Sequence, residues 1–446
     1  YTVSANTVIN GPKKGDATQW DIGEKKINID KGINVTFNEL WLNNANIIGQ
    51  GNINVYNTKG TPVFISGYIQ ADNLTLSTID GSDFDANGIS SYDGDIRLDV
   101  NNLNITAVNN GIITQADKPQ EKQVITINDT ESVNINMISD GIGIHITNNA
   151  DLNMISTKSD SVINVMAGNG VSTTSAQSNA TLKADYINIG AWGSWGVVSD
   201  KGKLEIEAKK DIFIGDKFID KEKIGDYAAQ AAMATNGQLI ITAKEGNVKI
   251  IGDEGVFTNR TSSKGSATIT AGQNNYIYAG TNTLQAAGGN ITVSAKNNII
   301  KADSDVKSSK FNFEYGDGLA ISPENSSITT VTATAENGVN DIRGAVSAAK
   351  GASTVKITGD NNNVYSAAII SGAGDLDTSE GSKFEGKQVT SALYAEKGAN
   401  INLTGDNTVA TWADYNDNDT LERTIWAYSD DKKVGSTINL TGAAHI

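Results

Sequence analysis

The stretch KGANINLTGDN, Lys397 to Asn407, decides how the chain folds. It opens on a glycine turn and then alternates apolar and polar residues, with Ile401, Leu403 and Gly405 on one side of an extended strand and Asn402 and Thr404 on the other. The same sentence returns along the chain as KGKLEIEA from Lys201, NGQLIITA from Asn236, KGSATITA from Lys264, GGNITVSA from Gly288, KGASTVKITG from Lys350 and VGSTINLTG from Val434. Before many copies lies a second short apolar segment: WGVVS, AAMAT, GVFT, NTLQAA, AVSAA, SALYA and IWAY. The unit is strand, turn, strand, turn. It is too short to bury its apolar side alone, and stacking successive units in parallel makes a continuous core.

The spacing between marker glycines varies, so the coils are interrupted by loops, which favours a β-helix over a propeller. The expected fold class is all-β: a right-handed parallel β-helix (solenoid) with protruding loops, the handedness following from parallel crossover connections. Coils of roughly 20 to 30 residues stacked about 4.8 Å apart would make about 15 to 20 coils and a rod of about 70 to 100 Å. Residues 1–60, which hold the strands INID, INVTF and INVYN, read as the N-terminal part of the β-helix with a cap, and 61–446 as the stem. Loops are expected at 215–230, 301–327, 372–386 and 413–423.

Composition agrees. Of 446 residues, 45 are glycine, asparagine is about as frequent, only four are proline and none is cysteine. Asparagine and glycine tolerate turns, Thr, Val and Ile suit a pleated backbone, and asparagine amides stack in ladders when strands lie in register. The formal charge of −16, with four arginines (Arg97, Arg260, Arg343, Arg423), argues against nucleic acid and anionic membrane as partners. There is no apolar run long enough to span a bilayer, so no direct membrane insertion is expected of this stretch.

SALYAEKGANINLTGDN and GASTVKITGDNNNVYSAA resemble the repeats of autotransporter (type V secretion) passengers of Gram-negative bacteria. That resemblance implies export, display on the cell surface and outer-membrane anchoring through a C-terminal β-barrel, before which this sequence stops. It also implies an adhesin mediating attachment to host or microbial surfaces, aggregation or biofilm formation. The partners would be a host-cell or matrix glycan or protein, other bacteria, or the protein itself.

An enzyme is not expected. An autotransporter protease would need a nucleophilic serine in a GDSG-like turn beside a histidine and an aspartate. GDEG at 252 and GDGL at 316 lack the serine, and alternation turns His145 outward as a plain surface residue. The alternative, a carbohydrate-active β-helix lyase or hydrolase, would use YDGDIRLDV, where Asp95, Arg97 and Asp99 form an outward row near Asp80, Asp83, Asp85 and Asp93. The plainer reading pairs Arg97 with its flanking aspartates on a solvated strand. A stalk that itself binds nothing is a third reading.

The acidic loop DYNDNDTLE, Asp414 to Glu422, lacks the spacing of a calcium loop, and no metal or cofactor is expected. The tripeptide Lys14-Gly15-Asp16 is too short to identify an integrin ligand. The ligand-binding candidates are aromatic: Trp192 and Trp195 in GAWGSWG, and Trp412, Tyr415, Trp426 and Tyr428 flanking the acidic loop, since indole and phenol faces stack on sugar rings.

Overall fold

The computed structural model describes all residues except 12–17, 22–24, 59–62, 81–85, 93, 116–120, 216–229, 259–264, 303–318, 324–328, 349–352, 369–388, 397, 414–420, 423 and 428–434. The tripeptide Lys14 to Asp16 and most of the four expected loops lie outside the described residues. The described residues form strands and turns, with no helix. Two compact units are distinguished: residues 1–228 with 237–242, and 229–236 with 243–446.

Each unit is a parallel β-helix whose coils carry three strands, one on each of three faces. In the N-terminal unit one coil runs through Ala150–Ile155 on the first face, Val162–Ala167 on the second and Asn169–Thr173 on the third. Every strand pairs in parallel with its counterpart one coil away. On the first face Leu152 lies between Ile125 and Ala180, on the second Ile163 lies between Val133 and Ile187, and on the third Val171 lies between Ile144 and Val197. The alternation read from the sequence is the alternation of burial: in KLEIEA, Leu204, Ile206 and Ala208 are buried while Lys203, Glu205 and Glu207 are partly exposed.

The core of each unit is a stack of inward Ile, Leu, Val and Ala columns, most of them fully shielded from solvent. Two strands of the N-terminal unit, Gly67–Thr78 and Ile96–Ala107, are long enough to turn the corner between the first and second faces without a break.

The corner into the third face is tight. Gly88, Gly111, Gly143 and Gly170 occupy it in successive coils. A Cβ at Gly111 would overlap Cγ2 of Ile135, on the second face, and the carbonyl oxygen of Gly143 in the next coil. Glycine is required there by close approach of backbone to core. Successive coils of the C-terminal unit place Ala231, Gly255, Thr283 and Ala320 at the equivalent position, so the corner there admits a buried side chain as large as threonine.

Asparagine ladders fasten the coils. In the C-terminal unit Asn275, Asn298, Asn340, Asn362 and Asn407 stack at one inward corner and are fully buried. Each of the first four donates one amide N–H to the Oδ1 of the next, at 2.8 to 2.9 Å. The other N–H goes to the main-chain carbonyl of Ser294, Thr334, Thr358 or Thr404, at 2.9 to 3.0 Å. A buried amide is tolerable when both N–H groups and its oxygen are satisfied, and the repeat satisfies them for Asn298, Asn340 and Asn362, the three inner rungs. The N-terminal unit has a long ladder outside: Asn134, Asn164 and Asn188 each donate to the asparagine one coil earlier, beginning at Asn104.

Candidate functional site

Outward columns and one groove carry the polar chemistry of the surface. On the first face of the C-terminal unit, register brings Thr268, Thr292, Thr332, Lys356, Asn402 and Asn439 into one column. Beside it runs Thr270, Ser294, Thr334, Thr358, Thr404 and Thr441. These side chains are half-exposed or exposed, and Lys356 is the one charged member of the two columns. Neighbouring coils set the column spacing at about 4.8 Å, and alternate residues along each strand are about 6.7 Å apart. Hydroxyls and amides are therefore presented as a flat, nearly uncharged grid on a strongly acidic chain.

The first face of the N-terminal unit is charged, and here the row Asp95, Arg97, Asp99 is found. Ile96, Leu98 and Val100 are buried, and Asp95 and Arg97 are exposed, as alternation requires. Arg97 pairs with Asp99 at 2.9 Å, so the plainer reading of the arginine describes its nearest contact. Asp95 caps the next coil instead, accepting the backbone N–H of Val124 at 2.9 Å.

Three coils supply the rest of the groove. Tyr68, one coil before, donates its hydroxyl to Asp99 Oδ2 at 2.9 Å and lies under the Arg97 guanidinium, 5.5 Å from ring centre to Cζ. Asn128, one coil after, donates to Asp99 Oδ1 at 3.2 Å. Lys158, two coils on, donates to Asn101 and lies 3.5 Å from Glu131. Burial alone would push the Asp99 carboxyl up, but hydrogen bonds from Arg97, Tyr68 and Asn128 outweigh it and hold the group below the usual carboxylate range. Tyr68 is pushed up by burial and by its bond to Asp99. Arg97, Asp99, Val100, Asn101, Asn128, Asp129 and Lys158 line an open groove of about 400 Å³.

No protein-family model matches the chain, and neither curated proteins nor solved structures give a match.

The aromatic candidates are distributed between the units. Trp192 and Trp195 lie at the corner between second and third faces, both partly exposed. The Trp192 indole donates to Asp140 at 2.9 Å, while the backbone N–H groups of Ser194 and Trp195 share Asn169 Oδ1. In the C-terminal unit Trp426 is only 8% exposed and meets Tyr394 edge-on at 5.7 Å, with the Tyr394 hydroxyl bound to Glu396. The side chains of Trp412, Tyr415 and Tyr428 lie outside the described residues, as does most of the acidic loop from Asp414.

His145 is half-buried on the third face, between Ile113 and Ser172 in register. Burial pushes its pKa down, so near neutrality it carries no charge. Among the described residues, no group of three or more His, Cys, Asp or Glu side chains is placed to hold a metal ion.

Sequence reasoning named Arg97 and Asp99 but missed Tyr68, Asn128, Asp129 and Lys158. The signal was present as spacing: Tyr68 and Asn128 stand 31 and 29 residues from Asp99, and Lys158 stands 57 from Asn101, which are one and two coils of this region. Reading it required the coil length.

Proposed function

We propose that the protein is a cell-surface adhesin of the autotransporter kind, held at the outer membrane and acting by binding rather than by catalysis. The observation that carries this reading is the grid of Thr, Ser and Asn side chains on the first face of the C-terminal unit. Many equivalent donors and acceptors on a rigid, flat backbone give weak contacts that add when a partner engages several coils at once. A catalytic surface has the opposite character, with a few perturbed groups converging on one reacting atom. The glycine and asparagine repeats, which resemble autotransporter passengers, supply the expected setting of export and surface display. The partner is a glycan or protein of a host cell, matrix or neighbouring microbe, or another copy of the chain.

Binding of the purified chain to immobilised host glycans, matrix proteins and itself tests the reading. Saturable binding that drops when Thr292, Thr332 and Thr334 are replaced together by glutamate is the expected result. Turnover of a polysaccharide substrate, or no binding to any surface, would overturn it.

A further inference from the structure

The Arg97 groove is separate from the threonine grid and has a different chemistry. Its volume of about 400 Å³ lies within the roughly 300 to 1,000 Å³ range of small-ligand clefts. It crosses from the coil of Arg97 to that of Lys158, two coil steps, or about 10 Å along the stack. The wall alternates acceptors (Asp99, Asp129), amides (Asn101, Asn128) and cations (Arg97, Lys158).

Charge decides the class of ligand. Each cation already has a carboxylate: Arg97 holds Asp99 at 2.9 Å and Lys158 lies 3.5 Å from Glu131. Asp129 adds a third carboxylate to the groove, and Asp72 backs it by accepting from Asn101 at 3.3 Å. Four acids therefore surround two bases on a chain of charge −16. A uronate or sulfated sugar would have to displace Asp99 or Glu131 from its cation against this field. A neutral sugar has no such cost. Its hydroxyls donate to carboxylate oxygens and accept from amide and guanidinium N–H groups, and charge-assisted bonds of this kind are stronger than neutral ones. The Arg97 guanidinium, supported from behind by Tyr68, is 61% exposed and supplies a planar, weakly hydrated surface against which a sugar ring can lie.

We infer that the groove formed by Arg97, Asp99, Asn101, Asn128, Asp129 and Lys158 is a binding site for a neutral oligosaccharide. The inference rests on the adhesive reading and names one ligand class and its place.

The test is titration of the full chain with soluble neutral glycans (a β-glucan and a galactomannan) and with polygalacturonate and heparin as anionic probes. The variants are Arg97→Met and Asp129→Asn, each checked for an unchanged thermal transition. Saturable binding of a neutral glycan that weakens at least about tenfold in both variants, and changes little with salt, is expected. Neutral binding unaltered in both variants overturns the groove and leaves the adhesive reading in place. The same holds for binding to matrix proteins with no neutral glycan bound. Tighter binding of polygalacturonate or heparin through the groove overturns the neutral class. Absence of binding to every glycan, protein and copy of itself defeats both readings.

Discussion

Asn298 donates an amide proton to Asn340 Oδ1 at 2.8 Å, with both side chains fully buried and 42 positions apart in the chain. The second Asn298 proton goes to the Thr334 carbonyl, and its oxygen receives a proton from Asn275. Replacing Asn298 with alanine therefore strands three polar partners inside the core. Each stranded group costs about 1 to 3 kcal/mol, and partial rearrangement brings the expected loss to about 3 kcal/mol. Asn164→Ala, in the outer ladder where water can replace the lost partner, should cost less than about 1 kcal/mol. Urea denaturation of the two variants would show whether burial sets the value of the ladder.

The buried ladder stops at Asn275, whose Oδ1 has no hydrogen-bond partner. The position stacked on it one coil earlier is Val248, fully buried. Val248→Asn would place an amide where it can donate to that oxygen. It should change stability by no more than about 1 kcal/mol, whereas Val293→Asn, in an apolar inward column, should cost at least about 2 kcal/mol. Equal losses for the two would show that the ladder cannot be lengthened.

Gly111→Ala tests the third-face corner. The added methyl meets a core methyl and a backbone carbonyl, and the carbonyl cannot retreat without parting two coils. A loss of about 2 kcal/mol is expected, typical of overpacking. Gly435→Ala, whose Cβ would meet nothing within 4 Å, is the control and should be close to neutral.

His145 should make stability fall on mild acidification. Its folded pKa is depressed by burial, below that of the unfolded chain. Above the ordinary histidine value of about 6.5 both states are neutral and nothing changes. As pH falls below it the unfolded chain takes up a proton that the folded chain refuses, and stability drops until the folded pKa is reached. Between pH 7.5 and 5.5 the loss is at most about 1.4 kcal/mol, and His145→Gln should remove that part of the slope. An identical slope in the variant would assign the pH dependence to other groups.

Much of the fold was legible because a strand's alternation is local. Ile401 and Leu403 face the core and Asn402 faces outward for reasons contained in nine residues, and glycine turns bound each such segment. The three-faced coil was harder to see. The third-face strands, such as Asn87–Ser91 and Asn169–Thr173, are buried at nearly every position and show no alternation to read. The aromatic candidates show the same limit from the other side. Trp426 has the chemistry of a sugar platform, yet its surroundings leave it almost no exposed surface.

The sequence by itself determined which side of each alternating strand is core, that the strands are short and separated by turns, and that the chain is acidic with few arginines. These follow from residue type and period. Which residues stand next to one another was decided only by tertiary structure, because in a solenoid neighbours across a coil are separated by a coil length that loops make irregular. Stacked asparagines stand 18 residues apart at Asn34 and Asn52 but 45 apart at Asn362 and Asn407. The groove around Arg97 and the buried amide ladder both exist through that stacking, and neither has a signature within any one segment.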